Sequence, residues 1–292
     1  DGNFTFAVLF LFVAAILDGL DGRVARLIKG SHIVVPKIYG DNQAFIFQNS
    51  DKRVIFVIPF YKDFSLIGTT DIEYTANPDL AKIDDAERDY LCNSVSQYFN
   101  KQISQKDIVW TFSGVTSLYN DDNHLAQKVS RDYVIESHSQ NNQTIINVFG
   151  GKLTTYRTLA ERVMLKIEKL LDKEKNRWTS KKHLPGGGFS YNEKNNILKY
   201  YFEKYSFLNN DVVERLFFSY GLEIDTIFNG VTNRNNLGID FGHGLFELEV
   251  KWLIDNEWAQ NAEDVLWRRS KLGLYLSSSE VNKLKLWMSR KV

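Results

Sequence analysis

The apolar positions of this chain change period along its length, and the change predicts the order of its elements. Between residues 31 and 71 the spacing is that of strands. Ala44 to Phe47 and Arg53 to Pro59 flank the polar turn Asn49-Ser50-Asp51-Lys52, which predicts a hairpin, and Phe64 to Gly68 predicts a third strand. Ile83 to Phe99 mixes charge with Leu91, Val95, Tyr98 and Phe99, the pattern of a surface helix laid on that sheet. Val109 to Val115 predicts a further strand, and Tyr133 to Glu136 and Thr144 to Phe149 predict two more. A glycine pair follows Phe149. Leu159, Ala160, Val163, Met164, Ile167, Leu170 and Leu171 then recur at helical spacing.

Asp172 to Lys182 is polar and reads as a connector, and Pro185-Gly186-Gly187-Gly188 is the strongest punctuation in the chain. From there the period is helical to the end. Ile197, Tyr200, Tyr201 and Lys204 predict one helix, and Val212, Val213, Leu216 and Phe217 a second. Leu248, Trp252, Leu253 and Trp258 mark a third, and Val265, Leu266 and Trp267 a fourth. Ser277 with Glu280 has the form of a capping box for a last helix carrying Val281, Leu284 and Trp287. Trp252, Trp258, Trp267 and Trp287 fall on apolar faces and are expected in the core. The fold class is α+β, a β-rich part followed by a helical one.

At the other end, Phe4 to Leu17 is almost wholly apolar. As a helix it would reach about 21 Å at ~1.5 Å per residue, short of the ~30 Å hydrocarbon core. It also lacks the basic flank of a signal peptide. Lys+Arg and Asp+Glu both number 36, so charge gives no argument for nucleic acid or an acidic partner. The single cysteine, Cys92, excludes an internal disulfide and fits a reducing compartment. It lies among apolar helix positions and is expected as a buried, inert thiol. His243 has no second His or Cys at ligand spacing, so no metal is expected. Glu257, Asp264, Arg268 and Arg269 are expected to form a charge network between helices, each pair worth ~0–1 kcal/mol.

The candidate chemistry begins at Gly150-Gly151-Lys152. A strand, a glycine pair and a helix start let a ligand approach the backbone, with amide N–H groups and the helix dipole turned towards negative charge. A plain strand-to-helix turn has the same pattern. The choice is made by a resemblance. Val148-Phe149-Gly150-Gly151-Lys152-Leu153-Thr154-Thr155-Tyr156-Arg157 resembles the flavin-contacting turn of the FAD-dependent, respiratory glycerol-3-phosphate dehydrogenases. Lys29-Gly30-Ser31-His32-Ile33-Val34-Val35-Pro36 and Ile67-Gly68-Thr69-Thr70-Asp71 are similar to segments of the same family. So are Asp107-Ile108-Val109-Trp110-Thr111-Phe112-Ser113-Gly114-Val115 and Asp264-Val265-Leu266-Trp267-Arg268-Arg269, all in the family's order.

The resemblance implies a β-rich substrate-binding domain at 27–115, the returning strand–helix part of a split FAD-binding domain at 116–175, and a C-terminal helical domain at 185–292. It implies FAD as cofactor and oxidation of glycerol 3-phosphate to dihydroxyacetone phosphate, with electrons passed to quinone. It also implies a cytoplasmic protein, peripheral at the inner face of the cell membrane. It places Gly150, Gly151, Lys152, Leu153 and Thr154 beside the flavin, with Lys152 also facing the substrate. His32 becomes the candidate base or substrate hydrogen-bonder, because an imidazole changes charge near neutral pH. Arg131 matches an arginine expected near the substrate phosphate, which suits the paired donors of a guanidinium. Each also has an ordinary reading: a solvated Lys152, a His32 bonded to backbone, an Arg131 paired with Asp132.

Two departures bear on activity. Where the family carries Arg-Pro after Phe112-Ser113-Gly114-Val115, this chain has Thr116-Ser117. A lost charge-assisted contact to phosphate is worth about 2–3 kcal/mol. No Gly-x-Gly-x-x-Gly follows a strand, so the seat for the FAD pyrophosphate is missing, and the chain is expected to hold FAD weakly and to be incomplete for catalysis. In addition, Asp18-Gly19-Leu20-Asp21-Gly22-Arg23-Val24-Ala25-Arg26 resembles the opening of the CDP-alcohol phosphotransferase signature of phosphatidylserine synthases. Val35, Tyr39 and Gln43 stand where that signature needs a glycine and two aspartates to complete a divalent-metal site. Residues 1–26 are therefore expected to be a helical remnant in a truncated or chimeric chain. A CDP-alcohol phosphotransferase and a catalytically silent partner-binding protein are the alternatives.

Overall fold

The structure is a computed structural model that describes residues 25–119, 132–141, 143–173 and 177–290. The segments Phe4 to Leu17 and Asp18 to Val24 lie outside the described residues, as does Arg131. The described chain forms two units, divided between Ser180 and Lys181. Among the described residues no helix is long and apolar enough to cross a membrane.

The first unit is built on a sheet of six strands. These are β1 (Ala25–Pro36), β2 (Phe45–Gln48), β3 (Val54–Phe60), β4 (Phe64–Gly68), β5 (Ile72–Glu73) and β6 (Trp110–Tyr119). Strand β1 is the spine. β4 and β5 pair with one edge of it and β6 with the other, all antiparallel, and β3 and β2 extend the sheet beyond β4. Helix α1 (Asp85–Ser96) starts in a capping box between Asp84 and Glu87 and covers one face. Its stripe Glu87, Leu91, Cys92, Val95 has the spacing of a single helix face. Leu91, Cys92 and Val95 pack on Ile33, Val35, Ile55, Val57 and Ile67. Burial raises the Cys92 thiol to about 11, so it stays protonated and unreactive.

Towards the other end of β1 the inward positions become polar. Lys29 and Ser31 are buried there, and Glu87 meets them. The Lys29–Glu87 pair spans 2.9 Å with both side chains 6% exposed. Burial pushes the Glu87 carboxyl up, but Lys29, the Asp84 amide and the Thr70 and Ser31 hydroxyls outweigh it, and the net shift is below the usual 4.5. Glu87 therefore contributes stability that is complete above 4.5 and is lost as pH falls through its lower folded value. His32 is held below 6.5, chiefly by burial, so its contribution begins to fade as pH drops below 6.5. The urea midpoint of this unit is expected to fall between about pH 7 and about pH 4. Glu87→Gln should flatten the acidic part of that profile.

Strands β7 (Val134–Gln140) and β8 (Gln143–Phe149) form a separate hairpin, and β8 runs against β6. Helix α2 (Tyr156–Leu171) follows β8. It begins later than the sequence pattern implies. Gly150 and Gly151 both take positive φ and Lys152 is extended, so the chain passes through a 3-10 turn, Leu153–Thr155, before the α-helix can start.

The second unit is helical: α3 (Lys194–Lys204), α4 (Asn210–Tyr220), α5 (Glu247–Glu257) and α6 (Ser278–Met288). One cluster gathers Tyr201, Tyr205, Leu216, Phe217 and Phe246; another gathers Phe241, Val250, Leu253, Leu266 and Leu284. Trp252, Trp267 and Trp287 pack on the latter, as expected. Trp258 does not: it caps α5 in the left-handed conformation and is 78% exposed. The charge network is also different. Arg268 pairs with Asp264 along one π-helical segment, while Arg269 donates to the Glu257 backbone carbonyl. The glycine run lies inside this unit, where a Cβ on Gly186 would stand 2.0 Å from the Tyr220 carbonyl oxygen.

Candidate functional site

Opposite α1, the sheet turns an apolar face outwards. Register places Ile46, Phe56, Gly68, His32 and Phe112 in one row across β2, β3, β4, β1 and β6. Ile46, Phe56 and Phe112 are all exposed, an unusual arrangement for side chains with so much apolar surface and one that marks ligand faces. His32 lies in the middle. Its ring stacks on Phe112 at 4.8 Å with the planes 3° apart. On its other side it lies over Gly68, where a Cβ would come within 2.1 Å of His32 Cδ2.

The next row along the strands is a glycine floor. Gly30 of β1 pairs with Gly114 of β6. Strand interiors rarely hold glycine unless something must come close to the backbone. Over Gly30 that something is Thr69, whose Oγ1 would lie 2.5 Å from a Cβ there, with Asp71 Oδ1 at 3.8 Å. Over Gly114 there is open space, since a Cβ there would meet nothing within 4 Å. Thr116 is exposed two residues further along the same face of β6. His32, Thr69 and Asp71 thus line a shallow bay with glycine beneath it.

The bay holds two buried polar atoms with no hydrogen-bond partner, His32 Nδ1 and Thr69 Oγ1. Buried polar atoms nearly always have partners, so two without one at neighbouring positions ask for an explanation, and a ligand is one. Burial disfavours the imidazolium and the Asp71 carboxylate favours it; burial is the larger effect. The ring is therefore neutral at pH 7 and able to accept a proton, with a carboxylate at hand to steady the charge. Thr69 and Asp71 belong to the segment Ile67-Gly68-Thr69-Thr70-Asp71, whose sequence alone gives neither of them a role. The available signal was three glycines at strand positions, 30, 68 and 114.

The second cluster of candidates lies on the turn after β8. Gly150 and Gly151 need their positive φ, not extra room: a Cβ on Gly151 would sit at ordinary distance from Leu159 and Tyr133. Lys152, Leu153 and Thr154 are exposed, Leu153 to 89%. The turn is fixed from behind by the Thr155 amide and hydroxyl, both of which donate to the Lys152 carbonyl. A leucine held outwards beside the opening of a 16-residue helix offers an apolar surface next to a positive dipole end. Among the described residues no group of His, Cys, Asp and Glu is arranged to hold a metal.

Comparison with known proteins places the chain in a family. Residues 11–157 match the FAD dependent oxidoreductase family, and residues 177–285 match the C-terminal domain of alpha-glycerophosphate oxidase. The chain is 40% identical over 264 residues to the aerobic glycerol-3-phosphate dehydrogenase of Escherichia coli (strain K12), covering 90% of this chain and 52% of that protein. It is 38% identical over 258 residues to the D-erythritol 1-phosphate dehydrogenase of Brucella abortus (strain 2308), covering 88% of this chain and 51% of that one. The chain thus spans about half the length of the curated relatives it matches. The X-ray structure of the glycerol-3-phosphate dehydrogenase from Bacillus halodurans, complexed with FAD, shares the fold with a TM-score of 0.74 at 24% identity, over 95% of this chain and 56% of that chain.

Proposed function

The chain belongs to the FAD-dependent oxidoreductases, and from that premise we propose that it carries the substrate bay and the flavin-facing turn of a glycerol 3-phosphate dehydrogenase. The observation that carries the reading is the bay itself: a neutral His32 with a partnerless nitrogen, set beside a glycine floor on an open face. FAD, when bound, supplies the hydride acceptor. The exposed turn Gly150, Gly151, Lys152, Leu153, Thr154 fits the flavin, since it offers amides at a helix start and an uncovered leucine. His32 accepts the proton of the substrate's secondary hydroxyl, and Asp71 steadies the resulting imidazolium. Thr69 holds a substrate oxygen. Lys152 and Arg131 are assigned to the phosphate, and Phe112, Phe56 and Ile46 keep water from the reacting face. Quinone as final acceptor, and work at the inner face of the cell membrane, complete the proposal.

Titration with glycerol 3-phosphate, followed by NMR, tests it. The imidazole of His32 and the amides of Thr69 and Gly114 are expected to shift. Gly114→Ala is the sharper variant: glycine to alanine in open space leaves stability unchanged or raises it by about 0.4–1 kcal/mol. The methyl group would occupy ligand space and weaken binding about tenfold or more. A native chain whose His32 does not respond would favour the catalytically silent, partner-binding reading instead.

A further inference from the structure

We propose that Glu87 is a positioning residue that holds Thr69 and Asp71 against His32 from the opposite face of the sheet; this rests on the reading of the bay as the substrate site. Lys29 and Ser31 alternate along β1 with Gly30 and His32, so one stretch of strand carries both the buried polar cluster and the bay. Glu87 Oε1 accepts from Ser31 Oγ and Thr70 Oγ1, each at 2.8 Å. Its Oε2 accepts from Lys29 Nζ at 2.9 Å and from the Asp84 amide at 3.0 Å. Four donors fill the acceptor sites of an ionised carboxylate. Thr70 Oγ1 in turn accepts the Ser31 amide at 3.0 Å, so a side chain takes over where the β1–β4 ladder ends at His32 and Gly68.

The consequence is directional. Thr70 is fully buried on the helix side, which turns its two neighbours to the bay side, where the Thr69 hydroxyl and the Asp71 carboxylate lie above Gly30. A buried ion pair such as Lys29–Glu87 is poor evidence of net stabilisation, because desolvation offsets the attraction. What this one supplies is a single fixed place for residues 69–71. The His32 ring faces Asp71 from that segment and Phe112 from β6, so moving the segment changes the ring's surroundings.

The test is an NMR titration of the His32 imidazole in the full chain without ligand. Thr70→Val keeps the side-chain volume and the Lys29–Glu87 pair but removes both hydroxyl bonds. It is expected to free the segment, hydrate the ring and raise the His32 midpoint towards 6.5, burial being the larger cause of its depression. Thr70→Ser should restore the native midpoint. Glu87→Gln should shift it in the same direction, and the milder Ser31→Ala by less. A folded Thr70→Val chain that titrates like the native one overturns the proposal, as does a Thr70→Ser chain that fails to restore it. The midpoint is read without substrate, so it stands or falls separately from glycerol 3-phosphate binding, which tests the site itself.

Discussion

Arg215→Met is expected to cost the helical unit about 3–5 kcal/mol, a large share of the roughly 5–15 kcal/mol that a domain of this size has to lose. Arg215 leaves α4 and grips Glu249 of α5 with both terminal guanidinium nitrogens, at 2.6 and 2.7 Å, while also donating to the Gly244 carbonyl at 2.9 Å. Tyr220 adds its hydroxyl to the same carboxylate at 2.9 Å. Glu249 is 0% exposed, so methionine in place of Arg215 would strand a carboxylate where water cannot reach it. Burial and the Glu249 charge both push the Tyr220 phenol upwards, so it remains a donor throughout the working range of pH. Urea unfolding followed by the fluorescence of Trp252, Trp267 and Trp287 reads the loss directly. The triple variant with Glu249→Leu and Tyr220→Phe should recover most of it, because then no buried charge is left unpaired and only the Gly244 carbonyl loses this donor. A single variant costing under about 1 kcal/mol would mean that water reaches Glu249 after all.

That network shows why some of this molecule was legible in the chain and some was not. Strands β2, β3 and β4 and helices α1 and α3 to α6 follow from apolar spacing, since each buries one continuous stripe. Strand β1 is harder to read as the spine because its inward positions Lys29 and Ser31 are polar. They are buried only because Glu87, 56 residues after Ser31, meets them. Trp258 was misplaced because counting by helical period carries α5 one residue past its end, to a position where the backbone has already turned left-handed. His32 and the glycine pair at 150 and 151 stand out in local motifs. Thr69 and Asp71 do not, because they follow the end of β4. Only the register of three strands brings them over Gly30 and beside His32.

The same register makes Gly68→Ala the most informative change in the first unit, with loss of detectable glycerol 3-phosphate binding expected. The backbone at Gly68 is extended and would accept alanine; the obstacle is the neighbour. A methyl group there would stand 2.1 Å from His32 Cδ2 and 2.7 Å from its Cγ and Nε2. The ring cannot slide sideways, since Phe112 lies parallel to it at 4.8 Å. It must swing off β4 and leave the bay. Overpacking of this kind costs about 1–3 kcal/mol, too little to unfold the sheet on its helix side. His32→Ala removes the clash, so the double variant should be no less stable than His32→Ala alone, a non-additivity that urea midpoints would show. Gly114→Ala, with open space above it, gives the contrasting case of binding weakened at no cost to stability. If Gly68→Ala displaces the ring and glycerol 3-phosphate still binds with native affinity, then recognition belongs to other groups on this face and the role given to His32 is wrong.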